Sequence, residues 1–143
     1  MIRTATLPLL TRLSTPRLSR MSSSVSGMQP QYSAGEDEAT VQRGVEALTG
    51  AGWGLDSERM GVQKTYYFRS YFKAISFVNM IAAESAVKKH HAVMTVRFGS
   101  VDVHWTTHNP RGLSQKDVDM AQHCERGADV MGSVGAGQGL KCS

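Results

Sequence analysis

Cysteine is nearly absent. The 143 residues include two, Cys124 and Cys142, and neither has a second cysteine at CxxC spacing. That excludes a disulfide framework and gives no sign of a thiolate metal or redox site, so both thiols are expected reduced, as in a mitochondrial matrix or cytosol. Long apolar runs are missing too. No stretch approaches the roughly 20 residues that cross a bilayer, so no membrane partner is expected. Acid is missing from the first 35 residues, which carry Arg3, Arg12, Arg17 and Arg20. Those four arginines match the whole net charge of +4, so the rest of the chain is formally neutral. A neutral body lacks the basic footprint of a nucleic-acid binder, and no nucleic-acid partner is expected. The GxSxG elbow and the Gly-rich phosphate loop are also absent, which leaves serine-nucleophile and nucleotide chemistry without support.

What is present begins with that front segment. Arginines spaced among Leu, Ser and Thr, with Leu9, Leu10, Leu13 and Leu18 forming a rough helical stripe, have the composition of a mitochondrial or plastid transit peptide. A plain disordered tail, or a start at Met21, is the alternative and points to the cytoplasm. Residues 22–31 read as a linker. The chain therefore divides into a leader and linker over residues 1–32, a folded domain over 33–131, and a flexible Gly-rich tail over 132–143.

Within the domain, Val41, Val45 and Leu48 predict a helix over 37–49, capped by Asp37 or by a competing Ser33/Glu36 capping box. Residues 53–58 and 62–68 read as two strands, the second rich in β-formers. Val62, Lys64, Tyr66 and Phe68 share one side of it, which is not a clean apolar face. A long helix follows over 70–88. One stripe holds Phe72, Ile75, Ala82 and Ala86; a second holds Tyr71, Ala74, Phe77, Met80 and Ile81. A helix apolar on more than one face is buried on more than one face, which points to a homodimer or homotetramer through helix 70–88. The last helix starts with a strong signal: Ser114 caps, Asp117 closes a capping box, and Leu113 staples onto Val118. Val118, Ala121, Cys124 and Ala128 form its buried stripe. The order is α-β-β-α-β-β-α, an α+β fold with a four-stranded antiparallel sheet and three helices on one face.

Four of the five histidines lie between His90 and His108. Two alternating runs flank Gly99-Ser100, a two-residue hairpin signal of type II′. Folded there, Phe98 faces Val101, Val96 faces Val103 and Met94 faces Trp105, all apolar. On the other face Arg97 meets Asp102, Thr95 meets His104, Val93 meets Thr106, and His91 falls opposite His108. A slip of one residue would mix the two sets. Histidine suits acid–base work because its ordinary pKa lies near neutrality. Three histidines could instead hold zinc. Against zinc, adjacent His90 and His91 point to opposite faces of a regular strand, and no carboxylate or cysteine obviously completes the set. His104 reads as a neighbour on the same face, His123 as a helix-surface residue, Arg97–Asp102 as a cross-strand ion pair, and Asp117 as a cap rather than a catalytic acid.

The pattern over residues 37–129 resembles the pterin-4a-carbinolamine dehydratase family, also known as dimerisation cofactors of a homeodomain transcription factor. The resemblance is carried by Gly52-Trp53, the aromatic strand into Phe68, the long helix ending at His90-His91, then Thr107-His108 and Gly112-Leu113-Ser114 with Asp117. It implies that His90, His91 and His108 are the catalytic and pterin-binding residues. The implied reaction is loss of water from a 4a-hydroxytetrahydropterin to give quinonoid dihydropterin, in tetrahydrobiopterin recycling, with no metal and no organic cofactor. His91 or His108 would serve as proton donor and base, with His90 orienting. The chain departs from the family pattern at Ala86, where an acid is common, at Lys89 immediately before the pair, at Ala92, where proline is usual, and at Met94, often aromatic. An oligomeric binding or coactivator-type module with weak or lost dehydration is the alternative.

Overall fold

The computed structural model describes residues 29–141. The expected leader lies outside the described residues, apart from 29–32.

Helix α1 spans Glu38–Gly50 and buries Val41, Val45 and Leu48, the stripe that the periodicity predicts. Asp37 is the N-cap residue, as expected, but the expected side chains are employed elsewhere than on the helix's backbone N–H groups. Asp37 takes the Thr40 hydroxyl at 2.5 Å. Ser33 donates to the Pro110 carbonyl at 2.8 Å. Glu36 reaches the start of the last helix and accepts the Gln115 N–H at 3.0 Å. Strands β1, Gly54–Leu55, and β2, Gly61–Tyr67, form the first antiparallel pair. The first is shorter than expected because the chain turns at Asp56, whose Oδ1 accepts the Met60 N–H at 3.0 Å, and Arg59 adopts φ 60°. The untidy face of β2 has a physical reason. Val62, Tyr66 and Phe68 are buried, while Lys64 on the same side donates to Glu125 at 2.6 Å.

Helix α2, Tyr71–Lys88, turns Ala74, Phe77, Ile81 and Ser85 into the core. Its other apolar stripe faces outward, with Phe72 78% exposed, and Val87 near the helix end is 72% exposed. Lys89, with φ 50°, ends the helix.

Strands β3, Val93–Arg97, and β4, Ser100–His108, form the expected hairpin with a corrected register. The two-residue link is Phe98-Gly99, not Gly99-Ser100, so Arg97 lies opposite Ser100, Val96 opposite Val101, Met94 opposite Val103 and Val93 opposite His104. Each facing partner moves by two, an even shift, so every side chain keeps its predicted face. The reason lies outside the hairpin. Gly99 is crossed by the C-terminal segment so closely that a Cβ there would come within 2.1 Å of the Leu140 carbonyl oxygen. Residues 132–141, expected to be a flexible tail, return to the sheet: Val134 N–H donates to the Tyr67 carbonyl at 2.8 Å and Leu140 N–H to the Phe68 carbonyl at 2.7 Å.

A fifth strand, β5, is only Arg111–Gly112 and pairs back onto β4, so the sheet has five strands rather than four. Gly112 has φ +140°, and a Cβ on it would lie 2.5 Å from the Ser33 nitrogen, so the position demands glycine twice over. Helix α3, Gln115–Met131, completes the α+β fold. The main strands run in the order β1-β2-β4-β3. One face of the sheet, with Val62, Tyr66, Val101, Val103 and Trp105, is sealed under the helices. The other carries the more exposed Gln63, Thr65, Asp102 and His104. Trp105, Phe68, Phe77, Ile81 and Leu113 are fully buried. Each such side chain contributes roughly 1.5–3 kcal/mol by leaving water. Among the described residues no helix is long and apolar enough to cross a membrane.

Candidate active site

The site is built on a buried carboxylate. Asp117, in the first turn of α3, has no solvent exposure. Its Oδ2 accepts from the Ser114 backbone N–H at 2.9 Å, closing the capping box that the sequence predicts. The same oxygen accepts the Thr107 hydroxyl at 2.9 Å and lies 3.2 Å from the Ser114 hydroxyl. That leaves Oδ1, which lies 2.6 Å from His90 Nε2. A carboxylate only accepts, so the imidazole donates through Nε2–H, and Asp117 fixes both ring orientation and tautomer. The ring is also stacked on Trp105, centroids 5.4 Å apart at 21°. His90 is thus clamped, its side chain 11% exposed.

His91 and His108 are exposed. They do not face each other across the ladder, as the predicted register had it. β3 begins only at Val93, and His108 pairs with Arg111 in β5. What relates them is Asp117. One oxygen holds His90, the residue before His91; the other holds Thr107, the residue before His108. Two open imidazoles therefore flank one buried anchor. Such a pair has the groups needed to give a proton to one atom of a flat ligand and take one from another.

The other histidines lie apart. His104 bonds Asp56 across β2 at 2.8 Å on the open sheet face. His123 lies on α3, half-buried rather than on the surface as expected. Arg97 does pair with Asp102, at 2.5 Å, though diagonally. No group of three or more His, Cys, Asp or Glu among the described residues could hold a metal ion. Of the departures from the family pattern, Ala86 is exposed on α2, Lys89 is its left-handed cap, and Ala92 and Met94 pack against the core.

Two groups, one buried and one half-buried, behave as structure. Burial pushes the Cys124 thiol up to about 12, so it stays protonated. Glu125 accepts from Lys64 at 2.6 Å, Tyr66 at 2.5 Å and Trp53 Nε1 at 2.9 Å. Burial pushes its carboxyl up, but the bonds from Lys64, Tyr66 and Trp53 outweigh that and hold it below its ordinary range. The contact of Asp117 with His90 was missed in the sequence. The available signal was that a capping carboxylate uses one oxygen, and a buried second oxygen must find a donor.

The family profile for "Pterin 4 alpha carbinolamine dehydratase" matches residues 35–127. A protein of Dechloromonas aromatica, provisionally named a pterin-4-alpha-carbinolamine dehydratase, is 40% identical over 75 residues, covering 52% of this chain and 65% of its own length. A similarly named protein of Rhizobium rhizogenes is 32% identical over 92 residues, covering 64% of this chain and 89% of its own. A solved structure from Brucella melitensis, described as a transcriptional coactivator/pterin dehydratase, superposes with a TM-score of 0.58 at 24% identity, covering 64% of this chain and 95% of that one. At that identity the superposition supports the fold.

Proposed function

Since the chain belongs to the pterin 4 alpha carbinolamine dehydratase family, we propose that it removes water from a 4a-hydroxytetrahydropterin by histidine acid–base catalysis, in tetrahydrobiopterin recycling. The carbon–oxygen bond at C4a breaks as one imidazole, His91 or His108, delivers a proton to the leaving hydroxyl. The other takes the proton of a ring nitrogen, whose electrons form the new carbon–nitrogen double bond. The products are water and quinonoid dihydropterin, and no electron is gained or lost. His90 positions: its Nε2 is committed to Asp117 and its face to Trp105. The observation that supports this reading is the double attachment of Asp117, which anchors the residues beside both open histidines.

The test is the ultraviolet assay of 4a-hydroxytetrahydropterin dehydration, with wild type against His91→Ala and His108→Ala. The expected outcome is acceleration by wild type and a loss of about 10²–10⁴-fold in each variant. A wild type no faster than the spontaneous reaction overturns the reading. It would leave the alternative, an oligomeric binding or coactivator-type module. The exposed apolar side chains of α2, Phe72 and Val87 foremost, favour association of copies under either reading, as a homodimer or homotetramer. Import into a mitochondrion or plastid through residues 1–32 belongs to the same proposal, and the mature N-terminus in cells tests it.

A further inference from the structure

Helices α2 and α3 touch at two levels and leave a cavity between them. At one level Met80 lies over Gly127, where a Cβ would fall 2.0 Å from the methionine methyl. At the other, His90 is bonded to Asp117. The intervening cavity measures about 320 Å³ and is lined by Glu84 and Lys88 of α2 and by Lys116, Asp119, His123 and Arg126 of α3. That volume is at the small end of metabolite sites, roughly 300–1,000 Å³. None of these six residues takes part in the proton transfers proposed above.

Of the two carboxylates of the lining, one faces a cation and the other bonds a neutral amide. Glu84 faces Lys88 at 3.8 Å, and Asp119 accepts the Gln115 amide at 2.8 Å. Among the described residues, Lys116 and Arg126 have no carboxylate partner. His123 Nε2 is buried with no hydrogen-bond partner. With Lys88 set against Glu84, the cations Lys116 and Arg126 outnumber the one remaining carboxylate, Asp119, and that surplus of positive charge favours an anion.

We propose that this cavity is an oxyanion site, holding the phosphate or carboxylate of a small metabolite between Lys116 and Arg126. The anion has two possible sources. Lys116 adjoins Asp117 and Lys88 stands two residues before His90, so one source is an acidic side chain of the pterin itself; this source rests on the dehydratase reading and requires a pterin other than tetrahydrobiopterin, whose side chain is uncharged. Otherwise it is a separate phosphate compound, and the site stands without that reading.

Calorimetric titration of the full chain with inorganic phosphate tests the site without any turnover. One saturable site is expected, weakened at least about tenfold by Lys116→Gln or Arg126→Gln and partly restored in Arg126→Lys. Both side chains are exposed, so the variants should fold as wild type does, which their thermal transitions check. Absence of saturable binding, or equal affinity in the double variant, overturns the proposal. Pterin fluorescence then separates the sources. Phosphate that displaces pterin-6-carboxylate, but not pterin lacking the carboxylate, assigns the anion to the substrate; phosphate that displaces neither assigns it to a second ligand. Phosphate binding without dehydratase activity would sink the proposed function and leave this site standing.

Discussion

Removing the carboxylate of Asp117 should separate its structural from its positioning role. In Asp117→Ala, the Ser114 N–H, the Thr107 hydroxyl and His90 Nε2 all lose an acceptor that itself has no solvent exposure. Each buried group left unpaired costs about 1–3 kcal/mol, and the lost cap about 1. Thr107 and Ser114 can still bond each other, at 2.5 Å. The expected net loss is therefore roughly 3–5 kcal/mol, a fall in Tm on the order of 10–20 °C. Asp117→Asn keeps the volume. Its carbonyl can still accept from Ser114 and Thr107, but its NH₂ then faces His90 Nε2, which must become an acceptor with the ring proton on Nδ1. The fold should lose only about 1–2 kcal/mol, whereas kcat for dehydration should drop by more than about tenfold as the His90 tautomer inverts. Urea denaturation and the dehydration assay on the two variants give the comparison. A stability for Asp117→Ala within ~0.5 kcal/mol of wild type would refute the buried network. An unchanged kcat and pH–rate profile in Asp117→Asn would refute the positioning role.

Phe72→Glu places a charge at a side chain 78% exposed in the single chain, so monomer stability should change by less than ~0.5 kcal/mol; light scattering after gel filtration should nonetheless show smaller assemblies, and an unchanged mass would rule out this stripe as the contact. Gly99→Ala drives a methyl into the Leu140 backbone, so the terminal segment should detach and limited proteolysis beyond Met131 should accelerate several-fold, while a chain ending at Met131 should tolerate the alanine. Glu125 has a folded pKa below its ordinary value, so its contribution to stability is fully present above the ordinary carboxylate range and is lost as pH falls through the folded pKa. Urea midpoints of Glu125→Gln should therefore lie below wild type at neutral pH and converge with it in acid; parallel curves would refute the assignment.

How far the sequence could be read depended on the range of the cause. The faces of the β3–β4 hairpin were legible because alternation is a local rule, and Val101, Val103 and Trp105 are all buried as predicted. The turn was not. Gly99-Ser100 is a good local signal, but the register follows Phe98-Gly99, and Gly99 is occupied in admitting Leu140 from 41 residues away. The tail misled for a related reason. Its glycines suggest flexibility, yet backbone bonds to the Tyr67 and Phe68 carbonyls, which composition does not encode, tie it down. Asp117 was legible as a cap, a contact three residues long, and illegible as the partner of His90, 27 residues away.

The histidine pair shows the same division inside two residues. Consecutive side chains on an extended backbone diverge, which argued from sequence against a shared metal. The same divergence supplies a physical basis for unequal roles. His90 turns inward, where Trp105 and Asp117 hold it; His91 turns out to water. A buried imidazole with a committed nitrogen is a poor proton shuttle and a good anchor, and an open one beside it is the reverse. The proposed chemistry therefore does not depend on the ladder pairing of His91 with His108. It depends on Asp117, which holds the side chains of their neighbours, His90 and Thr107.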